Sequence, residues 1–118
     1  MALPLVIEIE SPAGIVGLIH ADCPFDDWVP MQSADWDKFS DIDPLVSTCL
    51  WSIDRYQAKY DGKVRNIRAV VHGHMTVPEV KILGNVHYID TGGGTTGGEF
   101  TFLNLSTLKP ISGGMSTR

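Results

Sequence analysis

A chain of 118 residues, 43% apolar and 19% charged, has the composition of one small globular domain, which excludes a multi-domain machine and a disordered polypeptide alike. No stretch approaches the ~20 consecutive apolar residues of a membrane-spanning helix, so a membrane is not an expected partner. The net charge of −5 is unevenly spread: residues 1–54 hold ten acids and one base, Lys38, whereas residues 55–118 hold eight bases and four acids, without the aromatic-lined basic stripe that would point to nucleic acid.

The chain opens on an apolar run, Leu3 to Ile9, interrupted by acid at Glu8 and with no basic segment ahead of it. No secretory signal is read there, and the expected location is cytoplasmic. Ser11-Pro12-Ala13-Gly14 is a turn cluster and Ile15 to His20 a second β-branched run, so the two runs are expected to pair as antiparallel strands. The second run is apolar on both faces and belongs inside a covered sheet. Residues 21–34 carry two prolines and little periodicity, and read as a loop anchored by Phe25 and Trp28. A short helix is expected over Ala34 to Phe39. Asp43-Pro44 then starts the main helix, Asp as N-cap and Pro at the first helical position. Leu45, Cys49, Ile53 and Tyr56 recur at helical spacing and Gly62 supplies a stop, which predicts a helix over 44–60.

Strand grammar returns in Ile67 to His72, Val80 to Leu83, Val86 to Asp90 and Phe100 to Leu105, with Gly84-Asn85 as a hairpin turn between the second and third. Thr91 to Gly98 holds five glycines in eight residues, a loop whose backbone amides suit either a phosphate cradle or a hairpin-like connection. It lacks the Lys-Ser/Thr ending of a P-loop, which favours the connection. Ile111 to Arg118 reads as a frayed tail. Cys23 and Cys49 fall outside any C-x-x-C spacing and read as reduced packing residues. The fold class is α/β, mostly β with one main helix, in a single domain.

Two of the four histidines end apolar strands where the chain turns to loop, in Ile19-His20-Ala21-Asp22 and in Val71-His72-Gly73-His74. Ligand sites collect at the ends of central strands, where loops open a crevice beside a rigid scaffold. His-x-Asp and His-x-His place two donors on one side of an extended segment, and imidazole with carboxylate suits divalent manganese, iron or zinc. A strand-end histidine also serves often as a hydrogen-bonded structural residue, and two histidines leave a metal underfilled. Asp22, Asp26 and Asp27 lie close enough in sequence to His20 to shape its electrostatics. Arg55, on the predicted helix, is either a surface cation or a phosphate-binding fork reaching over the crevice.

Leu3-Pro4-Leu5 leading into a strand, His20-Ala21-Asp22 with Pro24-Phe25-Asp26 behind it, Leu50-Trp51-Ser52, Gly73-His74, and Gly84-Asn85 before Tyr88-Ile89-Asp90-Thr91-Gly92 occur in one order. In this the chain resembles the C-terminal half of the phosphoprotein phosphatase (PPP) family of metallophosphoesterases, in its bacterial and bacteriophage branch, from about residue 3 to residue 105. The resemblance implies half of a calcineurin-like β-sandwich. It also implies a dinuclear site, often manganese, that activates water to attack a phosphomonoester. By the same resemblance His20 and His74 are the ligands this half contributes, Asp22 supports the site from behind, and His72 falls where relatives carry an apolar or small residue.

The pattern has two departures. Where relatives of this branch carry an arginine that grips the substrate phosphate, this chain has Ile53, whose side chain cannot fork to phosphate oxygens. Arg55, two residues on, is the candidate substrate-binding residue, although two residues turn it by about 200° around a helix. The N-terminal motifs Asp-x-His, Gly-Asp-x-x-Asp-Arg-Gly and Gly-Asn-His do not occur in the chain. The expected parent activity is therefore hydrolysis of a phosphorylated protein or small phosphomonoester, with these residues alone inactive or very weak. The alternative is a non-catalytic binding or assembly module, a homodimer or a partner of the missing half.

Overall fold

The first two apolar runs form the expected antiparallel pair, β1 (Val6–Ser11) and β2 (Gly14–Ile19), in a register that sets Val6 opposite Ile19 and Ser11 opposite Gly14. This computed structural model describes residues 5–40, 42–73, 76–91, 101–105 and 107–112. On its other side β2 pairs in parallel with β3 (Ala69–His72), which pairs in parallel with β5 (Val86–Tyr88). The hairpin partner of β5, β4 (Lys81–Leu83), closes the edge, giving the order β1-β2-β3-β5-β4. Both β2 and β3 are thus interior strands, which is why they tolerate nearly unbroken apolar runs. A parallel neighbour requires a long crossover, and residues 20–68 provide it.

The crossover carries the helices. α1 (Val29–Ser33) falls inside the segment expected to be loop; Pro30 suits its first turn and Asp27 Oδ1 accepts the Val29 N–H at 3.0 Å. The helix expected over 34–39 is a single 3-10 turn, Trp36–Lys38. α2 (Pro44–Trp51) starts as expected, with Asp43 Oδ1 accepting the Leu45 N–H at 2.8 Å. It stops nine residues early: Ser52 is extended, at φ −70° and ψ 145°, and a separate short helix, α3 (Asp54–Gln57), follows.

One face of the sheet packs against this crossover. Ile19, Val70, Val86 and Tyr88 form a core with Trp28, Met31, Cys49 and Val64. Trp28 lies so close to β2 that a Cβ at Gly17 would sit 2.3 Å from its ring, so glycine there makes room for the indole. The indole N–H donates to Glu8 Oε2 at 3.0 Å, which satisfies its polar edge.

The Gly84-Asn85 turn joins β4 to β5 as expected. Gly84 has φ +63°, and a Cβ there would meet the Asp61 carbonyl oxygen at 2.6 Å. The Asn85 side chain does more than turn the chain: it accepts the Val64 N–H at 2.8 Å and donates to the Val64 carbonyl at 2.9 Å. A second sheet pairs β6 (Thr101–Asn104) with β7 (Lys109–Ser112), so the tail expected from Ile111 begins with two paired residues. The glycine-rich segment falls almost wholly outside the described residues, as do residues 113–118.

Candidate functional site

His20 follows β2 directly and is exposed. Its carbonyl oxygen accepts the Gly73 N–H at 3.0 Å, and the His72 carbonyl accepts the Ile89 N–H at 3.2 Å. The ladder thereby continues past the ends of β2, β3 and β5, and the His20 segment lies beside the segment that runs on to His74. His74 itself lies outside the described residues. Three parallel strands therefore deliver their C-terminal ends to one edge of the sheet, the place where α/β folds build sites.

His72 is fully buried. Its Nδ1 is 3.1 Å from the Ile19 carbonyl oxygen. A carbonyl can only accept, so Nδ1 carries the hydrogen and Nε2 the lone pair, 3.9 Å from Asp22 Oδ1. Burial pushes the His72 pKa down to about 4, which keeps the ring neutral at pH 7.

Behind His20 the chain is clamped by buried polar contacts. Asp22, 3% exposed, uses both carboxylate oxygens. Oδ1 accepts the Cys23 N–H at 3.0 Å, and Oδ2 accepts the Ser52 hydroxyl at 3.0 Å and the Arg55 N–H at 3.3 Å. That last bond satisfies a donor at the start of α3, so a carboxylate 33 residues upstream acts as its cap. Asp22 thus holds both sides of the gap between α2 and α3 and accounts for the break in the expected helix. Burial raises the Asp22 pKa, opposed by these hydrogen bonds and the Arg55 charge.

Arg55 completes the clamp. Only 9% exposed, it does not occupy the surface of the helix. Nε donates to the Cys23 carbonyl at 3.0 Å and lies 3.4 Å from Asp22 Oδ1, while Nη2 donates to the Phe25 carbonyl at 2.8 Å and to Asp26 Oδ1 at 2.7 Å. Breaking the helix resets its angular phase, which turns Arg55 inward over the loop that follows His20. Asp26 also accepts the Tyr60 hydroxyl at 2.7 Å; that bond first, and the Arg55 guanidinium next, hold its carboxyl below the usual range. The arginine expected to grip a phosphate thus spends its described contacts on the protein's own loop.

This arrangement presents one exposed imidazole on a rigid base beside an acid-rich loop. Cys23 and Cys49 are pushed up to about 11 and about 12 by burial, so neither is a thiolate nucleophile. Among the described residues no three His, Cys, Asp or Glu side chains converge as a metal site. Asp22, the obvious carboxylate beside His20, already accepts hydrogen bonds on both oxygens. The described donors alone do not fit a divalent cation, and His74 would be needed beside His20. Sequence reasoning missed Ser52, Asp26 and Tyr60 as members of the clamp. The available signal was the charge order: Arg55 is the first base after Lys38, downstream of Asp22 and Asp26.

The chain is 35% identical over 109 residues to serine/threonine-protein phosphatase 2 of Salmonella typhimurium, a match that takes in 90% of this chain and 43% of that protein. This supports a relationship to phosphatases. The chain spans less than half the length of that relative. No family model matches it. The mixed sheet with few helices is compatible with a β-rich portion of a phosphatase domain.

Proposed function

We propose that this chain carries part of a metal-dependent phosphomonoester hydrolase site of the serine/threonine phosphatase type, in which His20 and His74 bind a divalent cation. Manganese is the first candidate, iron and zinc the others. The observation that carries the reading is the hydrogen bond from Gly73 N–H to the His20 carbonyl, which lays His20 beside the strand end that immediately precedes His74 in sequence. The similarity to a serine/threonine phosphatase supports it and suggests phosphoserine or phosphothreonine as the substrate class. A bound cation would supply a polarised phosphoryl oxygen and a more acidic water. Within the chain, His20 would be a ligand and Asp22 would act through the loop, fixing its backbone. Two imidazoles underfill a cation, so the reading includes further ligands from outside these 118 residues and little or no turnover by the chain alone.

Paramagnetic broadening tests the assignment. Mn2+ titrated into the isotope-labelled protein is expected to broaden the amide resonances of residues 19–22 and 72–76 first. The effect is expected to vanish in the His20→Ala, His74→Ala double variant, and hydrolysis of p-nitrophenyl phosphate is expected to stay at the double variant's level. Broadening that starts at Asp35 and Asp37, or survives the double substitution, would remove the metal reading. Turnover above the double variant's level would remove the inactivity.

A further inference from the structure

Three side chains at the ends of the parallel strands bury polar atoms that no described protein group satisfies: Arg55 Nη1, His72 Nε2 and the Tyr88 hydroxyl. The residues are 9%, 0% and 2% exposed, so bulk water does not serve them. They are also neighbours. Asp22 Oδ1 lies 3.4 Å from Arg55 Nε and 3.9 Å from His72 Nε2. Tyr88 stands opposite His72 in the β3–β5 register, with ring centroids 5.5 Å apart, and both the Asp22 and the Arg55 charge act on its hydroxyl. A fourth atom of this kind, His87 Nδ1, belongs to a residue one position along β5, which points to the opposite sheet face and takes no part.

Folded proteins pair nearly all buried polar atoms, with protein or with an ordered water, because an unpaired one forfeits its solvation. The donor and acceptor inventory identifies the occupant here. Arg55 Nη1 can only donate, and the Tyr88 hydroxyl, able to donate or accept, has its proton free to donate. His72 Nε2 can only accept, since Nδ1 faces the Ile19 carbonyl, and Asp22 Oδ1 accepts. Two donors and two acceptors are the complement of one water molecule. An anion would face the Asp22 carboxylate and the His72 lone pair, and a cation would face the Arg55 guanidinium.

We propose that one ordered water is bound between Arg55, His72, Tyr88 and Asp22, and joins the ends of β2, β3 and β5 to the start of α3. It sets the spacing between the loop that follows His20 and the strand end that precedes Gly73. The inference rests on packing and hydrogen-bonding capacity, and stands whether or not the chain binds a metal.

A high-resolution crystal structure of the full chain is expected to show a single water within about 3.2 Å of at least three of the four atoms. Tyr88→Phe keeps the ring that packs edge-on against Tyr56 at 5.2 Å and removes only the hydroxyl. It is expected to keep the fold and to lose or displace the water. In solution, water-to-amide NOEs at His72 and Gly73 are expected in the parent and absent in the variant. Direct pairing of Nη1 or the Tyr88 hydroxyl with Asp22 or His72, a side chain filling the space, or a water equally occupied in Tyr88→Phe would each overturn the proposal. If Tyr88→Phe does not fold, the parent density and NOEs decide it alone.

Discussion

Arg55 shows how burial changes what a residue is for. On a helix surface its charge would be solvated and its loss nearly neutral, since exposed pairs contribute little. Inside, it neutralises Asp22 and gathers two backbone carbonyls of the same loop. Removing it leaves a carboxylate buried without its cation, so Arg55→Ala is expected to cost about 3–5 kcal/mol in denaturant unfolding. Arg55→Lys keeps the charge but not the fork, and is expected to recover only part of that loss. A cost under about 1 kcal/mol for Arg55→Ala would return the residue to the surface role. Asp22 was singled out by its place two after His20, and the structure buries it behind that residue. Its partners were not, because a carboxylate's choice of donor 30 or more residues away is settled by packing.

Among the elements, the strands were the most legible and the helices the least. β-branching marked β2, β3 and β5 to within two residues at each end, because interior strands bury mostly apolar side chains on both faces. The expected helix over 44–60 had a correct start, written in Asp43-Pro44, and a wrong end. Its apolar spacing through Ile53 and Tyr56 is real, yet Asp22 takes the Arg55 backbone N–H that a continuing helix would use and holds the Ser52 hydroxyl beside it, while the Ser52 N–H still closes the last turn on Thr48. α1 was missed because five residues around a proline give no period to read. Gly17 and Trp28 join β2 to this crossover at contact distance. Gly17→Ala would drive a methyl carbon into an indole that is 1% exposed and has nowhere to retreat. Overpacking of this kind is expected to cost roughly 1–3 kcal/mol, readable as a lower denaturation midpoint. An unchanged midpoint would show that the indole moves freely.

At the scale of the whole molecule, two bases of the second half meet acids of the loop that follows His20. Arg55 meets Asp22 and Asp26, and Arg65 approaches Asp27 at 3.8 Å. Burial of histidines, together with the Asp26 contacts, sets how stability responds to acid. His87, with its pKa lowered from 6.5 first by burial and then by Arg68, takes up a proton more readily when unfolded. Its contribution is therefore intact above about pH 6.5 and declines below it. Buried His72 acts in the same direction between 6.5 and about 4. Asp26, held below 3.8, contributes above that value and loses its contribution as pH falls through its lowered folded pKa. The histidine contribution to the thermal midpoint is thus expected to be level down to about pH 6.5 and to fall below it, and the Asp26 contribution to fall below about 3.8, while Asp22, whose pKa burial raises, acts in the opposite direction as it takes up its proton. His87→Gln is expected to make the midpoint less sensitive to acid than the parent's below about pH 6.5; identical pH profiles for parent and variant would contradict the assignment.

The linear sequence by itself determined the strand set, the Gly84-Asn85 hairpin, the helix start at Asp43 and the strand-end position of His20, because each depends on residues a few positions apart. Only the tertiary structure decided that the His20 segment lies beside Gly73, that the main helix breaks at Ser52, and that Arg55 faces inward. Those outcomes turn on which buried donors meet which buried acceptors across 30 residues or more. A polar group buried away from bulk water must find its partner, in a distant part of the chain or in an ordered water.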